Sequence, residues 1–585
     1  STLEVKTWRT CLRPFKTSPG AKKILKFVQS LKLGIQSKKD FIKVSQLFRN
    51  LRSLQLVSES YCSTGLYYWA KYMLTKSLKH FSLIMPITNH KTFHALEKCY
   101  DNLRRSSIQR ISLTTEDQRS YYDKSPIPAA PALLKKLAQI KTLRYVALRP
   151  AQFFCKKIDA FIQFMNHVAP SGLQIGEIPH VRERKSYDTG RFELFDFANK
   201  GFNRFERLES LKICGNYTSL ACLKRIIKNT TGIKHLTIEL FKFQAIQALS
   251  IQLIPSNCEE AWAEIKNLIH LETFILIHNS LEESKPPAPP LVDIKVISGI
   301  TKLRHFELIT NNDKRRRLID YKDLGDSLAN AKNLQFLKIV SYYSNQGFEG
   351  FFKSGTKHLK ELEEIHFELE FGQEIKLGPE FVDWMATKQK VKYLTFCLGT
   401  RHFMGCDIFM AIEDYQNCCN GIALLPSLKR LKFKVGCSDS DNTKKPFFRG
   451  MKTKAHKNIL SDFLKSLETK ELYRLSIHVG SGYLDDKELS LCYDRFINMP
   501  RLQCLKFTGD FNKVSLKGLS ETELFIKESW ETKRYKDLCI EAISANAQKN
   551  CVNFTETLNK CYSRSRMCIY YPELLDEIDG RDRYY

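Results

Sequence analysis

The segment 444–457 (KKPFFRGMKTKAHK) combines residue types that bind RNA. It contains no acidic residue, and Phe447 and Phe448 lie between its basic residues, which are Lys444, Lys445, Arg449, Lys452, Lys454 and Lys457. Lysine and arginine neutralise phosphates, and aromatic rings stack on unpaired bases. The composition therefore predicts a loop that contacts single-stranded or looped RNA, and a solvated loop without a partner is the alternative.

A second basic run follows a predicted strand and consists of Lys314, Arg315, Arg316 and Arg317. The whole chain contains 92 lysine and arginine residues against 63 aspartate and glutamate residues, which gives a net charge of +29. An excess of this size predicts an anionic partner, either nucleic acid, an acidic protein surface or anionic lipid.

Enzymatic motifs are absent from the sequence, which has no GxxxxGK[ST] phosphate loop, GxGxxG, HExxH or GxSxG. His90 and His94 are four residues apart with Cys99 nearby, but Lys91 occupies the position of a metalloprotease glutamate, so ordinary helix-face histidines are favoured. We expect no catalytic residue, metal or cofactor. The 18 cysteines form no CxxC pair, which indicates reduced thiols, and no apolar run is long enough to span a membrane.

The chain that carries these residues is repetitive. A pattern Leu-x-x-Leu-x-Leu, with other apolar residues allowed, recurs mostly at intervals of 25 to 32 residues. The copies begin at Leu51, Leu78, Ile108, Leu143, Leu208, Ile233, Leu271, Leu303, Leu334, Leu362, Val391, Leu428, Leu472 and Leu502. The interval between 143 and 208 is close to two periods, so we expect a degenerate copy near Leu173.

Each hexamer alternates apolar and polar residues in its second half, which predicts a short strand with its fourth and sixth residues pointing inward. Intervening stretches have helical spacing, as in 321–332 (YKDLGDSLANAK), where Leu324 and Leu328 lie on one helix face. Stacked units of this kind bury a continuous core. The predicted fold class is an α/β solenoid with a parallel sheet and a helix layer.

This pattern resembles the leucine-rich-repeat family over about residues 46–512, in the ribonuclease-inhibitor-like subtype with irregular repeats. The resemblance implies a curved parallel sheet on a concave side, helices on the convex side, and other proteins as partners of the concave face. The family's Asn or Cys after the last leucine is mostly missing, although Asn279 and Asn311 lie close to that position. We therefore expect an irregular arc.

Two further segments flank the predicted 46–512 solenoid. Residues 1–45 are predicted to form a basic helical cap or extension, and their scarcity of acidic residues also resembles an organellar targeting sequence. Residues 513–585 are predicted to form a helical C-terminal cap and an acidic tail. Ser520 and Glu523 there match a capping box, which predicts a helix from about 520 to 560.

The third, fifth and seventh positions of each hexamer project from the open side of the sheet. Basic residues at these positions predict contacts with RNA or an acidic partner, and they are Arg110, Arg149, Arg430, Lys432, Lys434, Arg474, His478 and Lys506. Acidic residues at these positions predict contacts with a basic partner, and they are Glu239, Glu307, Glu364 and Glu368. The alternative for the glutamates is pairing within the molecule with His305, Lys338 and Lys392.

These observations predict a non-enzymatic scaffold or adaptor that is a subunit of a large intracellular, hetero-oligomeric assembly. A ribonucleoprotein such as an organellar ribosome is the first candidate, with a mitochondrial location. The alternative is a protein-only adaptor, either a cytoskeletal or axonemal component or a ubiquitin-ligase substrate receptor, with a cytoplasmic location.

Overall fold

The structure is a computed structural model. It describes residues 2–5, 30–35, 51–58, 78–85, 107–115, 136–137, 139–149, 172–175, 208–215, 232–241, 263–279, 294–311, 320–344, 348–371, 376–400, 410–437, 448–449, 459–479, 484–510, 514–532, 534–543 and 565–570. The chain divides into two compact units, Ser1–Leu271 and Glu272–Tyr585.

The first unit is a sheet of parallel strands in chain order. Its strands are β1 (Thr2–Val5), β2 (Ser30–Ile35), β3 (Ser53–Ser58), β4 (His80–Met85), β5 (Arg110–Thr115), β6 (Tyr145–Arg149), β7 (Gly172–Ile175), β8 (Ser210–Gly215) and β9 (His235–Phe241). Each strand pairs in parallel with the next one along the chain. Parallel pairing of consecutive strands requires a return connection in every repeat, as the sequence predicted.

The second unit repeats this arrangement with a helix layer. Its strands are β10 (Thr273–Asn279), β11 (His305–Asn311), β12 (Phe336–Ser344), β13 (Glu364–Phe371), β14 (Tyr393–Thr400), β15 (Met410–Ala411), β16 (Arg430–Cys437), β17 (Phe448–Arg449), β18 (Arg474–Val479), β19 (Cys504–Asp510), β20 (Asp537–Ile543) and β21 (Ser565–Tyr570). Its α-helices are α1 (Tyr321–Leu328), α2 (Phe348–Lys353), α3 (Pro379–Ala386), α4 (Ile412–Ala423), α5 (Ile459–Leu467), α6 (Asp486–Asn498) and α7 (Leu516–Glu531), with 3-10 turns at Ile294–Gly299 and Gly355–His358. Strand β15 pairs with β17, and the other strands of this unit form one parallel series. The fold is an α/β repeat solenoid.

The strand register confirms the predicted inward positions. Leu337 on β12 lies opposite Phe306 on β11 and Ile365 on β13, and all three side chains are completely buried. Successive repeats are also joined by the amides that precede each strand. The amides of Gln335 and Phe336 donate to the carbonyl of Arg304 at 2.8 and 3.0 Å, and this bond pattern recurs along the series.

The helix predicted at 321–332 is present but shorter. Asp320 caps its N-terminus by accepting hydrogen bonds from the amides of Lys322 and Asp323 at 2.8 and 3.2 Å. Leu324 and Leu328 are buried on one face, as predicted. The helix ends at Leu328 because the following residues turn back toward β12.

An aromatic cluster fills the core between the sheet and the helices. Phe351 and Phe352 of α2 pack edge-on against Phe367 of β13 with ring centroids 5.9 and 6.2 Å apart. Trp384 of α3 joins the cluster, and the ammonium of the completely buried Lys388 lies 4.6 Å from its ring. Lys388 Nζ donates to the carbonyl of Thr356 at 2.9 Å, and burial lowers the pKa of Lys388 to about 7.

The parallel sheet begins earlier and ends later than the sequence predicted. Strands β1 and β2 lie in the predicted helical cap, and β20 and β21 lie in the predicted helical and acidic C-terminal segment. The segments VQSLKL from Val28 and YKDLCI from Tyr535 contain the repeat pattern with a residue other than leucine at the first position. The predicted degenerate copy near Leu173 is confirmed as β7, in which Pro170 occupies the first position.

The predicted capping box at Ser520 is wrong. Helix α7 begins at Leu516, so Ser520 lies inside the helix. The hydroxyl of Ser515 accepts a hydrogen bond from the amide of Lys517 at 3.1 Å and therefore caps the first turn. Asp486 holds Ser515 in place by accepting a hydrogen bond from its amide at 2.7 Å.

Within the described ranges, no helix is long and apolar enough to cross a membrane, and no cluster of histidine, cysteine and acidic residues is arranged to hold a metal ion. His90, His94 and Cys99 lie outside these ranges. The adjacent Cys418 and Cys419 are buried free thiols, as is Cys492.

Candidate functional site

Five basic residues project from the open face of three neighbouring strands in the second unit. We call them the cationic patch, and they are Arg430, Lys432 and Lys434 of β16, Arg474 of β18 and Lys506 of β19. All are exposed except Lys434, which is half-buried. The intervening strand residues, such as Leu431 and Phe433, are buried against the helix layer, so the alternation of the sequence determines which side chains are presented.

The register brings these charges close together. Arg430 lies directly opposite Arg474, and Lys434 lies opposite His478. Lys506 lies opposite Ser476 of β18. Neighbouring strands are about 4.8 Å apart, so like charges at directly opposite positions repel each other. The patch therefore concentrates positive charge at a cost to the stability of the free protein.

An ion pair and a cation–π contact offset part of the charge of the cationic patch. Lys432 lies 3.7 Å from Glu368, and both side chains are about half exposed. The guanidinium of Arg430 lies 5.5 Å from the ring centroid of Tyr393. Arg474 and Lys434 have no carboxylate within ion-pair distance in the described part of the chain. Both cations are therefore available to an anionic ligand.

His478 is not a cation, although the sequence grouped it with the basic residues. Burial and the nearby charges of Lys434 and Lys506 lower the pKa of His478 to about 3, so its imidazole is neutral near pH 7. Its Nε2 atom is buried and has no hydrogen-bond partner among the described residues. A buried polar atom left in this state costs about 1 to 3 kcal/mol.

A second group of open-face residues on β11, β12 and β13 is joined by hydrogen bonds and an ion pair within the molecule. We call it the paired patch, and it consists of His305, Glu307, Lys338, Glu364 and His366. His305 Nε2 lies 2.7 Å from Glu307 Oε1, and Lys338 Nζ lies 3.4 Å from Glu307 Oε2. His366 Nε2 lies 2.7 Å from Glu364 Oε1.

The ring of Phe336 orders the histidines of the paired patch. It stacks in parallel on His305 with ring centroids 4.0 Å apart and lies 5.2 Å from His366. The hydrogen bond from His305, together with the charge of Lys338, lowers the pKa of Glu307. For Glu307, these contacts with His305 and Lys338 are the alternative interpretation, whereas Lys392 lies 2.7 Å from Glu363 and contacts none of the predicted glutamates among the described residues. A basic partner for them stays a prediction.

The other predicted site residues fall elsewhere. The run Lys314 to Arg317 and the loop residues Lys444, Lys445, Phe447, Lys452 and Lys454 lie outside the described residues. Phe448 and Arg449 form β17, which pairs with β15. In the first unit, Glu239 lies on β9, and Arg110 on β5 places its guanidinium 4.0 Å from the ring centroid of Tyr145.

Sequence reasoning missed the aromatic residues at this face. Phe336 and Tyr393 occupy the third position of their hexamers, where the alternation predicts an outward side chain and gives no indication of a contact. The same alternation exposes Ile275, Ile277 and Ile309 in part on β10 and β11, next to the paired patch. The face of the sheet on which each side chain lies was predictable from the sequence. The residue opposite it on the adjacent strand depends on the register, which was not.

Comparisons with known proteins complete these observations. No family model matches the sequence, and no curated protein sequence matches it. A structure described as "Crystal structure of TLR13-ssRNA13 complex" is similar over 92% of this chain and 68% of that chain, with 12% sequence identity and a TM-score of 0.29. The repeat architecture described above therefore rests on the strands and register of this chain itself.

Proposed function

We propose that this chain is a non-enzymatic leucine-rich-repeat scaffold, of the ribonuclease-inhibitor-like kind, that binds RNA through the cationic patch as a subunit of an intracellular ribonucleoprotein. An organellar ribosome in the mitochondrion is the first candidate assembly. The observation that carries the proposal is the cationic patch itself, in which five basic side chains share one face of three neighbouring strands.

An anionic ligand would relieve the repulsion within this patch. Arg430 and Arg474 are opposite each other in the register, and Lys434 and Arg474 have no acidic partner in the described chain. Phosphates along a nucleic-acid backbone repeat at a regular spacing and can contact several such cations in succession. The excess of basic residues in the whole sequence, +29, favours the same class of ligand.

The shape of the patch favours a single-stranded or looped RNA over a small ligand. Its side chains lie on strand surfaces and spread over three repeats, so contacts are distributed along an extended ligand. Tyr393 under the guanidinium of Arg430 supplies an aromatic ring at the edge of the patch, where an unpaired base can stack. RNA contacts of the basic loop 444–457 and of Lys314 to Arg317, which the sequence predicts, would add to those of the patch.

The test measures binding of a fluorescent oligouridine to the full chain over a series of salt concentrations. A patch variant replaces Lys432, Lys434, Arg474 and Lys506 together with alanine. If each residue binds one phosphate, the slope of log affinity against log salt should become shallower by roughly 0.7 for each phosphate that the variant no longer binds. Melting temperature should not fall, because all four side chains lie outside the core.

A matched control replaces four exposed lysines of the same unit that lie off the open face, namely Lys332, Lys360, Lys465 and Lys527. This variant carries the same change in net charge, so it removes only the long-range contribution of charge to binding. Equal loss of affinity and slope in the two variants would refute a defined RNA site. Failure of the parent chain to bind oligouridine at low salt would refute RNA binding.

A protein-only adaptor is the second candidate function. Ile275, Ile277 and Ile309 are half-buried on the open face of β10 and β11, and apolar side chains at such positions are typical of protein contacts. In this case the cationic patch would bind an acidic protein segment. A cytoskeletal or axonemal component and a ubiquitin-ligase substrate receptor are the candidate classes, and failure to bind oligouridine in the test above would favour them.

A further inference from the structure

A surface groove lies at the amino-terminal ends of strands β16, β18 and β19. Its volume is about 570 Å³, within the range of roughly 300 to 1,000 Å³ that is typical of ligand sites. Four of its eight lining residues are charged, which favours a polar, charged ligand over an apolar one. We call it the strand-end groove, and its polar lining residues are Lys429, Glu471, Tyr473, Arg501, Gln503 and Arg534.

The repeat determines the order of three residues along the strand-end groove. Lys429, Tyr473 and Gln503 each follow the first, buried leucine of a hexamer. The amide of Tyr473 donates to the carbonyl of Lys429 at 2.9 Å, and the amide of Gln503 donates to the carbonyl of Tyr473 at 2.9 Å. The groove adjoins the cationic patch, because Lys429 and Tyr473 directly precede Arg430 and Arg474, the first residues of β16 and β18.

Two cations of the strand-end groove are not balanced by an acidic residue. Glu471, the single carboxylate of the lining, forms an ion pair with Arg501. Lys429 and Arg534 have no carboxylate within ion-pair distance in the described part of the chain. The Nη2 atom of Arg534 donates to the carbonyl of Met499 at 3.1 Å, which holds the guanidinium in place. An anionic ligand would therefore contact one fixed and one flexible cation.

We propose that the strand-end groove binds one unpaired base, with its flanking phosphates, of a single-stranded RNA that lies on the cationic patch. The base stacks on the ring of Tyr473. Because Tyr473 lies between the repeats that carry Lys429 and Arg534, these two cations contact the phosphates on either side of the base. This inference rests on the proposed function and names a base contact within it.

The uncharged residues of the strand-end groove favour a base over a carboxylate-rich protein segment. Tyr473 is half-buried, so its ring is held at the groove while part of it stays accessible. Aromatic rings of this kind stack on unpaired bases. Gln503 is exposed in the next repeat, and its amide both donates and accepts hydrogen bonds, as the edge of a base does. An acidic protein segment would use the two cations and leave the ring and the amide without a matching group.

The test compares variants of the full chain with two ligands of equal charge, oligouridine and an abasic ribose-phosphate oligomer of the same length. Tyr473→Leu removes the ring, so it should weaken oligouridine binding about tenfold without changing the salt slope. Its affinity for the abasic oligomer should equal that of the parent chain. Tyr473→Phe keeps the ring and should bind oligouridine as the parent chain does. Lys429→Ala should weaken binding of both ligands and make the salt slope shallower by roughly 0.7.

A crosslinking measurement does not depend on the folding of a variant. Oligouridine that contains 4-thiouridine is bound to the parent chain and irradiated, and the crosslinked peptides are identified by mass spectrometry. The peptide that contains Tyr473 should carry a crosslink, because a base stacked on this ring is in contact with it. Crosslinks confined to other peptides, in a chain that binds oligouridine, would overturn the base contact.

The outcomes separate this inference from the proposed function. If the parent chain binds oligouridine and Tyr473→Leu binds it equally well, the base contact is wrong and RNA binding by the patch stands. If the parent chain does not bind oligouridine, both are wrong. An equal loss of affinity for oligouridine and for the abasic oligomer in Tyr473→Leu would also overturn the base contact. Uridine monophosphate that binds as tightly as oligouridine, with the same loss in Tyr473→Leu, would overturn the link between the groove and the RNA on the patch.

Discussion

The cationic patch and the paired patch occupy equivalent strand positions in different repeats of the second unit. They differ in how their charges are balanced. In the paired patch, Glu307 contacts both His305 and Lys338, and Glu364 contacts His366. In the cationic patch, Arg474 and Lys434 have no carboxylate partner in the described chain. Both patches therefore lie on the same kind of strand scaffold. Their outward residues determine whether the charges are paired within the molecule or are left without a carboxylate partner.

This difference shows why the charge of a single residue is a poor guide to function in a repeat protein. Glu307 is hydrogen-bonded to His305 and lies beside the ammonium of Lys338, and both contacts lower its pKa, so its charge is used within the molecule. His478 is surrounded by cations, and it loses its charge instead. The contrast follows from the general rule that neighbouring positive charges favour an ionised carboxylate and disfavour an ionised imidazole.

The largest expected effect is on the scaffold that the two patches share. Leu337 under the paired patch is completely buried, and Leu431 under the cationic patch is almost completely buried. Leu337→Asp and Leu431→Asp each place a carboxylate in the core without a partner, so each should lower the free energy of unfolding by roughly 3 to 5 kcal/mol. Chemical denaturation of the two variants measures this directly.

The control for this prediction is Lys338→Gln, which changes the outward neighbour of Leu337. Lys338 contacts Glu307 at 3.4 Å, so glutamine is preferable to aspartate, which would place a second carboxylate beside Glu307. We expect a loss below about 1 kcal/mol. If the control were as unstable as Leu337→Asp, the assignment of Leu337 as inward and Lys338 as outward would be wrong.

The second expected effect concerns the helix layer behind the cationic patch. Glu488 of α6 is buried and accepts a hydrogen bond from the amide of Ser461 in α5 at 3.0 Å. Burial, with Asp485 and Asp462 nearby, raises the pKa of Glu488 to about 7. Its contribution to stability is therefore complete below the unfolded pKa near 4.5 and is lost as the pH rises through about 7.

Glu488→Gln should remove this pH dependence. Over the range from about pH 4.5 to about pH 7, the parent chain should lose about 3 kcal/mol more unfolding free energy than the variant does. Denaturation at a series of pH values measures the difference. The described repeats of the paired patch contain no equivalent buried carboxylate. Glu307→Gln should therefore leave the dependence of unfolding free energy on pH unchanged over this range. Parallel pH profiles for the parent chain and Glu488→Gln would contradict the prediction.

The sequence predicted the repeat accurately because burial selects for alternation at a fixed spacing. Leu337, Ile365 and Leu394 all lie at predicted inward positions and in mutual register. The prediction missed β2 and β20, although their hexamers from Val28 and Tyr535 contain the repeat pattern. Both lie in terminal segments that were interpreted as helical caps from their charge and their capping signals, and those local signals do not reveal the pairing with the neighbouring strand.

The candidate site was predictable only in part. Alternation correctly placed Arg430, Lys432 and Arg474 on the open face. It did not predict that His478 is neutral or that Phe336 stacks on His305, because each depends on which residue the adjacent strand places opposite. Register between repeats is determined by loop length and core packing, and the intervals in this chain vary too much to give it from the sequence alone.

The third prediction converts the paired patch toward the cationic one. Glu307→Gln removes the carboxylate that binds Lys338 and His305, so Lys338 becomes available to an anionic ligand. We expect the salt slope for oligouridine to steepen by roughly 0.7 if Lys338 then contacts a phosphate. The free energy of unfolding should fall by about 1 kcal/mol, since a hydrogen bond to a partly buried charge is removed. An unchanged slope would mean that ligand binding ends at the boundary of the cationic patch.

The smallest expected effect on stability lies at that boundary, where Glu368 of β13 contacts Lys432 of β16 across 3.7 Å. Both side chains are about half exposed, and exposed ion pairs of this kind contribute about 0.5 kcal/mol or less. Glu368→Lys should therefore change the melting temperature little. It should raise the affinity and association rate for oligouridine at low salt, because it frees Lys432 and adds a positive charge beside it.

The matched variant for this last prediction is Glu364→Lys, which reverses a charge on the same strand but within the paired patch. It replaces the acceptor of His366, so it should lower the melting temperature more than Glu368→Lys does and accelerate oligouridine association less. The opposite result, faster association with Glu364→Lys and a lower melting temperature with Glu368→Lys, would show that the acidic residues of β13 face the ligand directly. A basic partner for Glu364 and Glu368 would then be the better interpretation. Such a partner should associate more slowly with either variant, because each lysine reduces the charge complementarity.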